Sequence, residues 1–138
     1  MFRAIVLLLT LLSIIFLAVS APIGTPVNLD KRITHTGKGT WFYPGLGNCG
    51  LENSSSDPIV AIPKSLYDQN GGSNCGQWIH ITNMNTGQTA YARAEDSCPG
   101  CGSDDLDMSP AVFEQLASLD TGVVPISWNF LAAGQSPP

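Results

Sequence analysis

Alternating apolar and polar positions predict that two neighbouring segments of this chain are β-strands joined by a turn. In QWIHITN (77–83), the two isoleucines point to one side and the tryptophan, histidine and threonine to the other. The turn MNTGQ leads into TAYARAED (89–96), where three alanines and Asp96 share one face. Small side chains suit close packing against another layer, so we expect Asp96 to end an otherwise apolar face.

Three further segments have the composition of strands, and one has the pattern of a helix. The helix is predicted over SPAVFEQLASL (109–119), because Ser109 is a good N-cap, Pro110 suits the first turn and apolar residues recur at helical spacing. Several short strands with one helix indicate a small barrel or closed sheet, which leaves no exposed edges. The additional strands are predicted at GTWFY (39–43), IVAIP (59–63) and VVPISWNF (123–130).

The first twenty residues have the pattern of a secretory signal peptide. Arg3 supplies a positive charge, residues 4–19 are almost wholly apolar, and small residues precede Ala21. A transmembrane anchor is the alternative, but the apolar run is shorter than the roughly 20 residues that span a bilayer, and no basic cluster follows it. We therefore predict a secreted, extracellular protein without membrane association once residues 1–20 are removed.

Residues 21–36 contain two prolines, no apolar period and the dibasic pair Lys31-Arg32. This segment is either a linker or a pro-segment that a secretory-pathway protease cuts after Arg32. The remaining chain is long enough for one small domain, predicted over residues 37–131, with a tail over 132–138.

The region beyond Arg32 is acidic. It carries three basic and ten acidic side chains, a net charge of −7 with neutral histidines. An acidic surface repels phosphate backbones, which excludes nucleic acid as a partner. The sequence contains no dinucleotide-binding fingerprint and no histidine cluster, so no cofactor or metal is predicted. We expect a monomer whose partner is a neutral glycan or a protein.

Four cysteines in a small secreted domain predict two disulfides, for which three connectivities are possible. A zinc site and a thiol-exchange site are the alternatives, but there is one C-x-x-C pair only, and it lies between a strand and a Gly/Asp loop rather than at a helix N-terminus. The spacing of CPGC permits a local bridge between Cys98 and Cys101. Cys49 and Cys75 then flank one long loop, and we predict this pairing.

Five segments in order resemble the double-psi β-barrel family. Its members include rare-lipoprotein-A-like domains, the first domain of expansins, loosenins, barwin-related proteins and family-45 endoglucanases. The sequence most resembles small secreted fungal members, among them chains known as riboflavin-aldehyde-forming enzymes. The resemblance covers about residues 37–131 and implies a mainly β fold: a six-stranded double-psi β-barrel with one short α-helix, held by disulfides, with a groove on one side. The segments are GTWFYPGLGNCG, DPIVAIPKSLYD, CGQWIHITN, DSCPGCGSDDLDMSPAVFEQLA and GVVPISWNF.

The resemblance also implies a set of groove residues. The recurrent aspartate of the motif DLDMS corresponds to Asp107, which serves as general acid in endoglucanase relatives and is needed for wall loosening in expansin-like relatives. Thr40, Trp41 and Tyr43 resemble the residues that line the groove, and Asp96 is the neighbouring carboxylate. The alternatives are that Asp107 caps a turn before the helix and that Trp41 belongs to the core.

One departure from the family pattern argues against hydrolysis. Inverting hydrolysis needs a second carboxylate roughly 6.5–9.5 Å across the scissile bond. In endoglucanase relatives this group comes from the first strand, near the position of Tyr43, but no acidic residue lies between Lys38 and Leu51. Asp104 and Asp105 are expected to be solvated loop charges.

Three functions are compatible with these features. The first is non-hydrolytic binding or loosening of cell-wall polysaccharide, as in expansins and loosenins. The second is inhibition of papain-like cysteine proteases, or a role as secreted effector, since some single-barrel relatives are inhibitors. A glycosidase or a riboflavin-aldehyde-forming oxidase ranks third, because no electron acceptor is evident. Asn53 begins the only N-glycosylation sequon, and we expect it to carry a glycan.

Overall fold

Six β-strands close into a barrel in the part of the chain that the structure, a computed structural model, describes: residues 32 to 138. The predicted signal peptide and the linker up to Lys31 lie outside the described residues. Within 32–138, no helix is both long enough and apolar enough to cross a bilayer. In chain order the elements are β1 (His35–Trp41), β2 (Ile59–Pro63), α1 (Lys64–Gln69), β3 (Trp78–Asn83), β4 (Thr89–Cys98), β5 (Leu106–Met108), α2 (Pro110–Leu116), a 3-10 helix (Leu119–Thr121) and β6 (Val124–Phe130).

The strands are hydrogen-bonded in the order β1-β5-β2-β4-β3-β6, and β6 pairs back with β1. The pairs β1–β5 and β2–β4 are parallel, whereas the other four pairs are antiparallel. The predicted six-stranded barrel is confirmed. The expectation of a single helix is wrong, because α1 follows β2 directly. This helix has only six residues and buries none of them, so it leaves no apolar period in the sequence.

Four of the five predicted strands lie within two residues of their predicted bounds, the first strand is shifted, and β5 was not predicted. The bounds of β2 are those predicted, and those of β3 and β6 differ by one residue. The first strand begins at His35, four residues earlier than the aromatic run indicated and inside the segment treated as linker. It does so because β1 pairs with β6 along this length, with His35 opposite Trp128.

The core lies inside the barrel and under α2. The isoleucines of β3 are fully buried while the alternate residues are half-buried, as the alternation predicted. The three alanines of β4 also point inward, and their small size lets α2 approach this strand. The largest buried side chains of the cluster come from different elements, which ties helix and strands into one core: Ile62, Phe113, Leu116, Ile126 and Trp128.

A β-bulge interrupts the alternation of β4 just before the predicted site. The register between β2 and β4 shifts between Val60 and Ala61, so Glu95 is the extra residue on β4. Glu95 is buried, with its Oε1 atom 3.4 Å from Arg93 Nε, whereas Asp96 is half-buried. The prediction that Asp96 ends the apolar face is wrong, because the bulge places Asp96 opposite Ala61 and Ala94 opposite Val60, so the two residues lie on different faces of β4.

Both predicted disulfides are present. Cys49 and Cys75 are joined with their Cα atoms 5.6 Å apart, and Cys98 and Cys101 with theirs 5.4 Å apart. The first ties the loop after β1 to the segment before β3. The second closes the turn that follows β4 and leads to β5.

Candidate functional site

An open cavity of about 380 Å³ lies where β1 runs parallel to β5. One wall is β1, and the other is the disulfide-closed turn between β4 and β5. Thr40 and Asp107 are register partners across the two strands, so the pairing alone brings them together. We call this cavity the groove; its lining residues are Lys38, Thr40, Cys98, Gly100, Cys101, Asp105, Asp107 and Val123.

Asp107 is the half-buried carboxylate of the groove. The Thr40 hydroxyl donates a hydrogen bond to Asp107 Oδ1 at 2.9 Å. Burial raises the pKa of Asp107, and the negative charge of Asp96 raises it further, while hydrogen bonds from Thr40 and from the Met108 backbone act in the opposite direction. A carboxyl group in this setting takes a proton more readily than an exposed aspartate does. As a carboxylate it accepts hydrogen bonds, and only when protonated can it also donate one.

Asp96 lies beside the groove but does not line it. Its Oδ1 atom accepts hydrogen bonds from the backbone N–H groups of Asn48 and Ser97, each at 2.8 Å. This carboxylate therefore anchors the loop after β1 to β4, and its effect on Asp107 is through charge.

Asp105 is a groove residue that the sequence reasoning missed. Its Oδ1 atom accepts the Lys38 backbone N–H at 2.8 Å, and its Oδ2 atom accepts the Gly102 N–H at 2.9 Å. The expectation that Asp105 is a solvated charge is wrong, because each of its carboxylate oxygens accepts a hydrogen bond from a backbone N–H group. The partner strand is 67 residues away in sequence, so no local pattern indicates this contact.

Asp104 is solvated, as predicted, with 43% of its side chain exposed, but it also has a partner that the sequence does not indicate. His35 Nδ1 lies 2.7 Å from Asp104 Oδ1, and the His35 ring stacks on Trp128 with centroids 4.0 Å apart. The Trp128 indole N–H donates to the Asp104 carbonyl at 2.7 Å. The hydrogen bond with His35 is the main reason that the pKa of Asp104 is lowered.

Trp41 and Tyr43 lie outside the groove lining, on the side of the first strand opposite to Thr40. The Trp41 indole N–H donates to the Leu119 carbonyl at 3.0 Å, and its ring packs partly against the core. Tyr43 meets Trp41 edge to face at 5.4 Å and is 73% exposed. The structure thus brings Thr40 and Asp107 together and sets the two aromatic residues apart from them.

A short hairpin over residues 45–53, which we call the 45–53 hairpin, lies against β4. Backbone hydrogen bonds of 3.0 and 2.9 Å join its two arms. Gly47 faces the barrel, where a Cβ atom would overlap the Glu95 carbonyl, so only glycine fits. Asn53, the residue of the sequon, ends the hairpin and is half-buried, with its side-chain amide donating to the Leu51 carbonyl at 3.4 Å.

Among residues 32–138, no three histidine, cysteine or acidic side chains gather closely enough to hold a metal ion. His80, on the outer side of β3, packs against Tyr91 with ring centroids 4.8 Å apart.

Two curated proteins show the relationship in sequence. The chain is 32% identical over 118 residues to the papain inhibitor of Streptomyces mobaraensis, covering 81% of this chain and 80% of that protein. It is 31% identical over 133 residues to expansin-like protein 1 of Dictyostelium discoideum, covering 88% of this chain. The chain spans less than half of the latter protein, 45% of its length. No protein-family model matches the chain.

Two solved structures show the same relationship in three dimensions. The Streptomyces papain inhibitor superposes with a TM-score of 0.63 at 34% identity, over 72% of this chain and 94% of that one. A mutant Clavibacter michiganensis expansin in complex with cellohexaose superposes with a TM-score of 0.65 at 26% identity, over 76% of this chain and 54% of that one. The closed barrel, its disulfides and these similarities agree, and the chain belongs to the barwin- and rare-lipoprotein-A-like double-psi β-barrel family.

Proposed function

We propose that this protein binds cell-wall polysaccharide in the groove and does so without hydrolysing it. The observation that carries the proposal is the pairing of a half-buried Asp107 with the Thr40 hydroxyl in an open cavity. A carboxyl and a hydroxyl side by side match the vicinal hydroxyl groups of a sugar, which both donate and accept hydrogen bonds. The complex of a related expansin with cellohexaose supports a β-glucan as the ligand class.

The neighbours of Asp107 explain why binding is proposed rather than hydrolysis. An inverting glycosidase needs a second carboxylate that is free to activate a water molecule. Asp96 and Asp105 are the nearest candidates, but each already accepts two backbone hydrogen bonds. Both oxygens of Asp105 are engaged, so its use as a base would break a charge-assisted hydrogen bond. Asp96 does not line the groove, and moving it there would break the two hydrogen bonds that its Oδ1 atom accepts.

We further propose that the protein acts outside the cell as a monomer. The two disulfides are typical of an oxidising compartment, and a signal peptide over residues 1–20 would deliver the chain there. The mature domain is proposed to comprise residues 37–131 and its strand extension back to His35, with a linker or pro-segment before it.

The test compares two variants that each lose one negative charge. Asp107→Asn removes the groove carboxylate, while Glu114→Gln changes an exposed residue on α2. A charged hydrogen-bond partner is worth about 1.5–3 kcal/mol, so we expect Asp107→Asn to weaken binding about tenfold or more in co-sedimentation with insoluble cellulose. The same co-sedimentation assay with chitin and with peptidoglycan shows which polymer the protein binds.

Glu114→Gln should bind as the wild type does, because an exposed charge outside the groove has little to lose. Equal binding by all three proteins, with folded circular dichroism spectra, would remove the groove from the mechanism.

The second candidate is inhibition of papain-like cysteine proteases. It is favoured by one observation: the papain inhibitor matches this chain over about four fifths of both sequences, whereas the matched expansins extend well beyond the aligned region. A single barrel is therefore the unit that the two proteins share. Titration of papain activity with the purified domain tests this candidate directly.

A further inference from the structure

Exposed large apolar side chains are concentrated on one loop. Among residues 32–138, six large apolar residues are exposed, and three of them lie within the ten positions that follow β1. Leu46 is 72% exposed and Leu51 is 51% exposed, both on the 45–53 hairpin, and Tyr43 lies shortly before it. Clustered apolar residues on the surface of a soluble domain mark an interaction site more often than single ones do.

The hairpin that carries these residues is held rigidly. Its tip is joined to the segment before β3 by the Cys49–Cys75 disulfide. The Asn48 N–H donates to Asp96 at 2.8 Å, and the Tyr67 hydroxyl donates to the Asn48 carbonyl at 3.2 Å. A surface fixed in advance loses little conformational entropy when a partner binds, so its apolar contacts contribute more fully to affinity.

The chemistry of this surface fits a protein cleft better than a glycan. Sugars are recognised by flat aromatic faces and hydrogen-bonding groups, whereas Leu46 and Leu51 are aliphatic and offer neither. Aliphatic and aromatic side chains that fill apolar pockets are typical anchors of protein interfaces. A protease cleft has such pockets and accepts an extended backbone. The exposed arms of a hairpin present apolar side chains to the pockets and extended backbone to the cleft.

We infer that the 45–53 hairpin, together with Tyr43, is the surface that enters the active-site cleft of a papain-like cysteine protease. This inference rests on the second candidate function and assigns it to a surface distinct from the groove. The role of Asp96 is then positional: its carboxylate fixes the hairpin through Asn48. Asp96 connects this surface to the groove, because it binds Asn48 of the hairpin and its charge acts on Asp107.

The experiment uses unglycosylated protein from a bacterial host, so that no glycan on Asn53 covers the hairpin. Leu46→Asp and Leu51→Asp place a charge where an apolar pocket would receive a leucine. Met84→Asp is the matched control, because Met84 is 54% exposed on the turn between β3 and β4. Asp107→Asn tests the groove. All four changes affect exposed or groove side chains, and circular dichroism checks that each variant folds.

We expect the inhibition constant for papain to rise about tenfold or more for each of Leu46→Asp and Leu51→Asp, and to stay within about twofold of wild type for Met84→Asp and Asp107→Asn. Wild-type inhibition that survives both leucine changes would overturn the assignment of the surface while leaving the inhibitory function in place. A wild-type domain that does not inhibit papain at all would overturn both the function and the surface.

Discussion

Three aspartates within four positions, Asp104, Asp105 and Asp107, have three different environments. The first pairs with a histidine, the second holds two backbone N–H groups and the third is half-buried in the groove. Their partners on β1 lie 67 to 69 residues away, which is why the local sequence could not separate the three. The family motif pointed to Asp107, but nothing in the sequence indicated that the other two carboxylates were occupied.

The raised pKa of Asp107 predicts how stability depends on pH. Because its folded pKa lies above the ordinary value of 3.8, Asp107 contributes stability that is fully present below that value and is lost as pH rises through the folded pKa. The asparagine of Asp107→Asn does not ionise, so the variant does not lose this stability as pH rises, and its side-chain oxygen can still accept the hydrogen bond from Thr40. We therefore expect the free energy of unfolding of the variant, relative to wild type, to increase as pH rises from below 3.8 to neutral.

Urea unfolding of both proteins across this pH range measures the difference. The lowered pKa of Asp104 gives stability that is lost as pH falls, but it acts on both proteins and cancels in the comparison. A difference that is constant with pH would show that Asp107 titrates as an exposed aspartate does.

Among the secondary-structure elements, those with a recognisable apolar pattern were predicted from the sequence, whereas the shortest elements were not. The alternating strands β3 and β6 and the continuous apolar run of β2 lie within one residue of their predicted bounds. The strand β5 has three residues and α1 has six, so neither is long enough to show a period. The bulge at Glu95 could not be predicted either, because it depends on the register that β4 takes against β2.

The two disulfides should differ in what their removal does. Cys49–Cys75 joins residues 26 positions apart, and in the chain-entropy model replacing both cysteines by alanine costs about 3.5 kcal/mol. The cost is about 1.6 kcal/mol for Cys98–Cys101, whose separation is 3. Cys98 and Cys101 line the groove, however, so their replacement should weaken polysaccharide binding more than that of the other pair.

Guanidinium unfolding and cellulose co-sedimentation of the two double-alanine variants give the two quantities. If the Cys49–Cys75 variant lost more binding than the Cys98–Cys101 variant, the turn between β4 and β5 would not be the wall that contacts the polymer.

The whole molecule presents two different surfaces on one barrel. The groove offers hydroxyl, carboxyl and amine groups, whereas the 45–53 hairpin offers exposed leucines. Asp96 connects them, because its oxygen binds the hairpin while its charge raises the pKa of Asp107. A change at Asp96 should therefore affect both surfaces, whereas changes at Leu46 or Asp107 should separate them.

The arrangement of carboxylates across the molecule predicts no release of soluble reducing sugar from cellulose or soluble glucans. Asp107 has no unoccupied carboxylate beside it within the groove lining, so the activation of water that inversion requires has no base. A reducing-end assay over long incubation measures this. Sugar release that disappears in Asp107→Asn would show that Asp96 or Asp105 gives up its backbone hydrogen bonds to act as the base.

The pairing of the first strand with the last has a consequence for how the chain folds. His35 lies opposite Trp128, roughly 90 residues later, and closure of the barrel waits until nearly the whole domain is available. Topologies dominated by such distant pairings fold in milliseconds to seconds rather than microseconds. Until β1 arrives, the edges of β5 and β6 are open to other chains. Substitutions along β1 should therefore reduce the yield of folded protein, through aggregation of the unclosed barrel, before they measurably destabilise the molecules that have closed.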